Sequence, residues 1–231
     1  MNYLKPNGKL EGIGNIFLIN HNNLKERLIF QQNQFKDLNL RFTRIEPIKV
    51  YRSTNFITPQ VKSCYLSHLT ALQRCANYQR PCLILEDDVI INFNMLREYL
   101  NNILNNPEIE WDIIYFYPPP EFENPTEIPV DNLICKISHM IYMHAYLINP
   151  KIIGDVIDEL KRGIIDIESN NNYRKDSTHI DRFMSENIHP KYQLYTSTVP
   201  IIYQDKIVFG SSLGCLTQEQ KTKYRMRDIK L

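Results

Sequence analysis

Three consecutive carboxylates, Glu86-Asp87-Asp88, close the apolar run Pro81-Cys82-Leu83-Ile84-Leu85. Four apolar residues in a row suit a strand buried on both faces of a parallel sheet. Unpaired charge is costly in a core, so the acids have to emerge where the strand ends. In open α/β folds the carboxyl end of the sheet is also where ligands bind. An extended backbone sends Glu86 and Asp88 to one side and Asp87 to the other. Two hard oxygen donors on one side suit Mg²⁺ or Mn²⁺, ions that keep positions open for phosphate oxygens. The chemistry suggested is metal-assisted handling of a diphosphate. An acidic loop after a strand is the plainer explanation of a triplet taken alone.

The surrounding sequence favours the first explanation. Cys64-Tyr65-Leu66-Ser67-His68 lies on the element before the strand, and Leu83-Ile84-Leu85-Glu86-Asp87-Asp88-Val89 carries the triplet itself. Together these segments resemble glycosyltransferase family 25, which reads Gly-Cys-x-x-Ser-His, a helix, then Leu-x-Leu-Glu-Asp-Asp. Bacterial members of that family build lipooligosaccharide, and animal relatives galactosylate collagen. The resemblance extends to Phe17-Leu18-Ile19-Asn20 with Arg27, to Trp111-Asp112-Ile113-Ile114-Tyr115, to His144-Ala145-Tyr146-Leu147-Ile148, and to Ile180-Asp181-Arg182-Phe183-Met184. These motifs stand in the family's order over residues 15–213. Three positions depart from the pattern. Ser63 replaces the glycine before the cysteine, His21-Asn22-Asn23 replaces Leu-Asp-Arg after Asn20, and Ser211-Ser212-Leu213 replaces Ser-Asp-Ile. The last two remove charges that could grip a donor or acceptor.

The resemblance implies a GT-A-like, Rossmann-like α/β sandwich in one domain spanning 1–231, with a mixed sheet flanked by helices. It implies transfer of a hexose, galactose or glucose, from a UDP-sugar to a glycan, lipid-linked or hydroxylated protein acceptor. By carry-over, Asp88 holds Mn²⁺ or Mg²⁺, with Glu86 as direct or water-mediated support, and Asp87 faces the donor ribose or sugar. Asn20 and Arg27 line the nucleotide pocket, although capping and surface pairing explain Arg27 equally well. Inversion needs a carboxylate to take the acceptor's proton, which points to Asp181. His179 completes the metal shell or binds phosphate. An acidic residue in a first helical turn is also explained by the helix dipole alone. A glycoside hydrolase needs two carboxylates flanking a bond, which three adjacent acids match less well than they match a metal. A catalytically weak or inactive carbohydrate-binding protein on the same fold stays open, because fold does not establish activity.

Composition narrows the partners. The chain has 231 residues, 23% of them charged, with a net charge of +1. Nothing in that balance suits nucleic acid or an anionic membrane. No apolar run is long enough to span a bilayer. The N-terminus Met1-Asn2-Tyr3-Leu4-Lys5 lacks a signal-peptide core. Cys64, Cys75, Cys82, Cys135 and Cys215 form no CxxC pair, and their odd number suits a reduced compartment. A cytoplasmic protein is expected, in a host's cytoplasm if the source is viral.

Alternating βα units must position these residues. A strand over 16–19, a helix over 23–36 and a strand over 41–45 read as a βαβ opening. Leu24, Leu28 and Phe35 form the helix's expected apolar face. Thr58-Pro59 reads as a cap opening a helix to Tyr78, with Val61, Tyr65, Leu69, Leu72 and Ala76 as its stripe. His68 on its edge reads as a hydrogen-bonded core histidine, with direct catalysis the lesser alternative. A helix over 95–104 and strands over 111–117 and 140–148 follow, with a surface excursion between Pro118 and Pro129. Asn149-Pro150 opens a further helix, 166–175 reads as a loop, Ser177 as a cap over His179 and Asp181, and 192–196 and 199–203 as strands.

Overall fold

Alternating βα units do build this chain, but the strands they supply join a sheet of mixed direction. The computed structural model describes residues 4–5, 9–52, 57–119, 127–169 and 178–204. The expectations for Ser177, Ser211-Ser212-Leu213, Cys215 and most of the proline-rich excursion lie outside the described residues.

The strands are β1 (Leu4–Lys5), β2 (Lys9–Leu10), β3 (Asn15–Ile19), β4 (Thr43–Ile45), β5 (Cys82–Glu86), β6 (Val89–Ile91), β7 (Ile113–Tyr115), β8 (Glu127–Pro129), β9 (Ile134–Ile137), β10 (Ala145–Ile148), β11 (Leu194–Ser197) and β12 (Ile202–Gln204). The helices are α1 (Lys25–Asp37), α2 (Pro59–Cys75), α3 (Phe93–Leu104), α4 (Ile153–Ser169) and α5 (Ile180–Phe183). Eight strands form the main sheet in the order β4-β3-β5-β10-β7-β11-β9-β8, while β12 pairs with β6 and β1 with β2. β3 runs parallel to both β4 and β5, but β10 enters antiparallel between β5 and β7. The strand that carries the triplet thus has one parallel and one antiparallel neighbour.

Strand alternation divides the core into two layers. Cys82 and Ile84 face the layer built with α2 and α4, and Leu83 and Leu85 face the layer built with α3. Continuing that alternation through the strand end aims Glu86 at α2 and Asp87 at α1. The acids change sides because the pleat does.

Helix α2 starts where its sequence signals it: Thr58 Oγ1 accepts from the Val61 amide at 3.3 Å, with Pro59 in the first turn. It stops at Cys75, so the expected extension to Tyr78 and the placing of Ala76 in its stripe do not hold. Asn149 likewise caps a short 3₁₀ turn at Pro150–Ile152 that leads into α4. That helix continues to Ser169, so 166–169, expected as the start of a loop, are helical. Its one mid-helix glycine, Gly163, faces α5. A Cβ there would strike the Phe183 ring and stand 2.8 Å from Tyr65 Oη. Gly163 therefore sets how closely α5, the carrier of Asp181, packs against the core. Tyr65 in turn donates to the Leu160 carbonyl at 3.1 Å, joining α2 to α4. The strand expected over 140–148 is shorter and begins at Ala145. Among the described residues, no helix is long and apolar enough to cross a membrane.

Candidate active site

Asp87 is the most tightly held of the three acids. Its Oδ1 accepts from Arg27 Nη1 at 2.8 Å and its Oδ2 from Asn20 Nδ2 at 2.7 Å. All three side chains are buried. Arg27, Gln31 and Gln34 follow one another on α1 at helical spacing and brace the connection from β5 to β6. Gln31 Nε2 donates to the carbonyls of Asp87 (3.1 Å) and Val89 (2.7 Å), and Gln34 Oε1 accepts from the Ile91 amide at 2.9 Å. The apolar face expected from Leu24, Leu28 and Phe35 holds in part: Phe35 is buried and Leu28 packs half-buried against the same core, while Arg27 and Gln31 are buried beside them. The helix turns polar groups inward because the strand end offers a carboxylate and open carbonyls.

Glu86 and Asp88 converge on the other side, as the alternation requires. Gln204 Nε2 donates to Glu86 Oε2 at 3.0 Å and to Asp88 Oδ1 at 3.1 Å, so both oxygens point at one position. Gln204 comes from β12, whose register places it opposite Val89. Sequence reasoning missed it: the expected strand stopped at Tyr203, and only the pairing with β6 brings a glutamine to the triplet. Asp88 Oδ2 also lies 3.4 Å from Arg27 Nη1. On α2, His68 is fully buried. Its Nε2 stands 3.3 Å from Glu86 Oε1 and its Nδ1 3.2 Å from Tyr146 Oη. The expected core histidine is satisfied, and one of its partners is an acid of the triplet.

These environments pull the two converging carboxylates apart. Burial would raise Glu86, but the hydrogen bond and charge of His68, with His144 and Arg27, hold it below the usual range. Burial pushes Asp88 up to about 7, with Glu86 and Asp87 adding to the effect and Arg27 and Gln204 opposing it. Asp181, half-buried in α5, accepts from the Arg182 amide at 2.8 Å. Burial raises its carboxyl too; the Arg182 amide and the charges of His179 and Arg182 oppose this, and Glu86 adds to it. Cys64 senses Glu86, Asp181 and Asp88 together. Asp181 and Glu86 thus feel each other's charge, and both act on Cys64. His179 is the residue at the head of α5, without a side-chain cap bond. A separate cavity of about 430 Å³, lined by Asn22, Lys25, Leu28, Ile29 and Arg44, includes none of these groups.

Glu86 and Asp88, turned toward one glutamine amide at a strand end of a mixed α/β sheet, are the candidate site. The chain belongs to glycosyltransferase family 25 (LPS biosynthesis protein), whose model matches residues 13–169. That span holds Asn20, Arg27, Cys64, His68 and the triplet, and ends before His179, Asp181 and Gln204. No curated protein matches the chain. Solved structures with similarity include a glycosyltransferase involved in the glycosylation of the major capsid of PBCV-1, at 10% identity over 71% of this chain and 73% of that one, TM-score 0.39. Mannose-1-phosphate geranyltransferase from Thermus thermophilus shares 10% identity over 83% of this chain and 60% of its own, TM-score 0.44. A nucleoside-diphosphate-sugar pyrophosphorylase from Vibrio cholerae shares 11% over 96% and 89%, TM-score 0.41. The family match carries the assignment.

Two outcomes follow from the geometry. Arg27→Met leaves Asp87 buried without its cation, and Asp87→Asn leaves Arg27 buried with only Asp88 at 3.4 Å to pair it; each costs about 3–5 kcal/mol. Urea unfolding of both single variants and of the double variant measures their coupling, and strictly additive losses would contradict the pairing. For Asp88 the folded carboxyl titrates near 7 against 3.8 in the unfolded chain. The folded state therefore keeps a proton that the unfolded state releases, so stability is lost progressively as pH rises from about 4 and the loss is complete by about 7. In chelator-treated protein, wild type should lose stability relative to Asp88→Asn between about pH 4 and 7 and run parallel to it above that. Parallel profiles within that window would contradict it.

Proposed function

We propose that the protein transfers a hexose from a UDP-sugar to a hydroxyl acceptor with inversion, assisted by a divalent cation. The observation that carries this reading is the convergence of Glu86 Oε2 and Asp88 Oδ1 on one position, while Asp87 is neutralised from within the protein. Two hard oxygens around a single point fit Mn²⁺ or Mg²⁺. Glu86 and Asp88 would hold the ion, and a bound ion would neutralise charge growing on the departing diphosphate.

Other tasks fall to the chain's own residues. Arg27, Asn20 and Gln31 fix Asp87 and the connection after it, so that Glu86 and Asp88 are presented without rearrangement. Asn20, Arg27 and Asp87 are expected to line the nucleotide pocket, and the hydrogen bonds among them support this positioning role in addition. Asp181, made more basic by burial and by Glu86, takes the acceptor hydroxyl's proton as the new bond forms. His179 lies close enough to Asp181 to steady its ionised form. The acceptor class follows the family: a glycan, lipid-linked or hydroxylated protein hydroxyl. The second reading, a sugar-binding protein with little or no activity, draws on Gln204, whose amide already satisfies both carboxylates as an internal cation would.

Calorimetry with UDP separates the readings. With Mn²⁺ present, wild type should bind UDP more tightly than in chelator, and Asp88→Asn should lose that difference while keeping its fold. UDP affinity that ignores both metal and mutation would favour the binding protein. For Asp181→Asn, donor affinity should hold while transfer falls by about a hundredfold or more. A helix-dipole role alone would instead cost about 1 kcal/mol of stability or less and leave turnover near normal.

A further inference from the structure

Cys64, His68 and Glu86 each offer one donor atom, and the three atoms lie within 4.8 Å of one another. Cys64 and His68 are one turn apart on α2, so their side chains project from the same face of that helix. Glu86 meets them from the end of β5. We propose that these three residues form a site for a thiophilic divalent cation, Zn²⁺ in the first place.

The donor set is what distinguishes this site from the carboxylate pair. Glu86 is common to both, its Oε2 turned to Gln204 beside Asp88 and its Oε1 to His68; the pair with Asp88 offers oxygen alone and suits a hard ion, whereas sulfur with imidazole nitrogen selects Zn²⁺ over Mg²⁺ or Mn²⁺. Spacing agrees. With Zn–N and Zn–O bonds of about 2.0–2.1 Å in tetrahedral array, two ligands stand roughly 3.3 Å apart. His68 Nε2 and Glu86 Oε1 are 3.3 Å apart, long for a hydrogen bond between such groups. Outside the three donors the support is also in place. Tyr146 Oη lies 3.2 Å from His68 Nδ1 and its ring stacks on the imidazole at 5.8 Å between centroids, fixing the ring with Nε2 toward Glu86. Metal-bound histidines are held in this way through their second nitrogen. Burial, and after it the charges of Glu86, Asp181 and Asp88, push the Cys64 thiol well above its usual range in the metal-free protein, so its proton leaves only as the ion binds. The Glu86 side chain is 27% exposed, so an ion can reach the cluster from solvent. Coordination needs the Cys64 thiolate, whose proton passes to water as the ion binds.

This inference goes beyond the donor reading and does not rest on it, and its test uses no nucleotide. Reduced, metal-stripped protein is titrated with Co²⁺, whose thiolate complexes absorb by charge transfer in the near ultraviolet. One equivalent should bind with that absorption, and Zn²⁺ should displace it. Cys64→Ser should abolish the band while circular dichroism stays unchanged, which separates loss of a ligand from loss of the fold. Tyr146→Phe, which keeps all three donors and removes only the outer partner, should weaken Co²⁺ binding about 10–100-fold. Absence of the thiolate band in the wild type, or its persistence in Cys64→Ser, would overturn the proposal. So would unchanged affinity in Tyr146→Phe.

Discussion

A strand alternates its side chains, so three acids in a row at a strand end cannot all face the same way. The middle one is sent toward whatever packs on the opposite layer. In this protein that layer supplies Arg27, and the Arg27–Asp87 pair at 2.8 Å decides how the rest of the site is arranged. Buried, hydrogen-bonded to Asn20 and flanked by Gln31 and Gln34, the pair ties α1 to the connection between β5 and β6. A carboxylate in that position without its cation would be expelled or protonated. With it, the chain can keep two further acids at the same place, both turned to the side where α2, α5 and β12 meet.

That side gathers groups from distant parts of the sequence. Glu86 rests on His68, Asp88 shares the Gln204 amide with Glu86, and Asp181 approaches on a short helix whose seat depends on Gly163 having no side chain. The carboxyls are not equivalent as a result. Glu86 is held ionised by a histidine on a helix, while Asp88 is raised by burial and by its neighbours. Such separation between adjacent acids is a common property of sites that bind cations or move protons.

Much of this was legible in the sequence, and the exceptions have physical reasons. Leu83 to Asp88 announced a buried strand with acids at its end, and its alternation assigned sides to the acids correctly. Thr58-Pro59 and Asn149-Pro150 marked helix starts because capping is local chemistry. The mixed sheet flanked by helices was expected, and the family is the one that the ordered motifs pointed to. The inward face of α1 was legible only in part: apolar periodicity selects Leu24, Leu28 and Phe35, of which Phe35 is buried, whereas Arg27 and Gln31 are buried by partners far along the chain, at Asp87 and Val89. Gln204 was invisible for a similar reason, since a glutamine ending a three-residue strand carries no local signal. Its role comes from register with β6, itself too short to read. Strand β9 escaped because Lys136 interrupts its apolar run, and the start of β10 was placed too early because Met140 to Met143 are apolar without being paired in the sheet.

The central claim is that Asp87 is reserved for the protein while Glu86 and Asp88 are left for a cation. Crystals grown with Mn²⁺ and UDP test it directly through the anomalous signal of manganese. The account predicts one peak within bonding distance of Glu86 or Asp88 oxygens, with the Arg27–Asp87 pair intact and the Gln204 amide nitrogen displaced from between the two acids. A peak bound by Asp87, with Arg27 swung away, would contradict it.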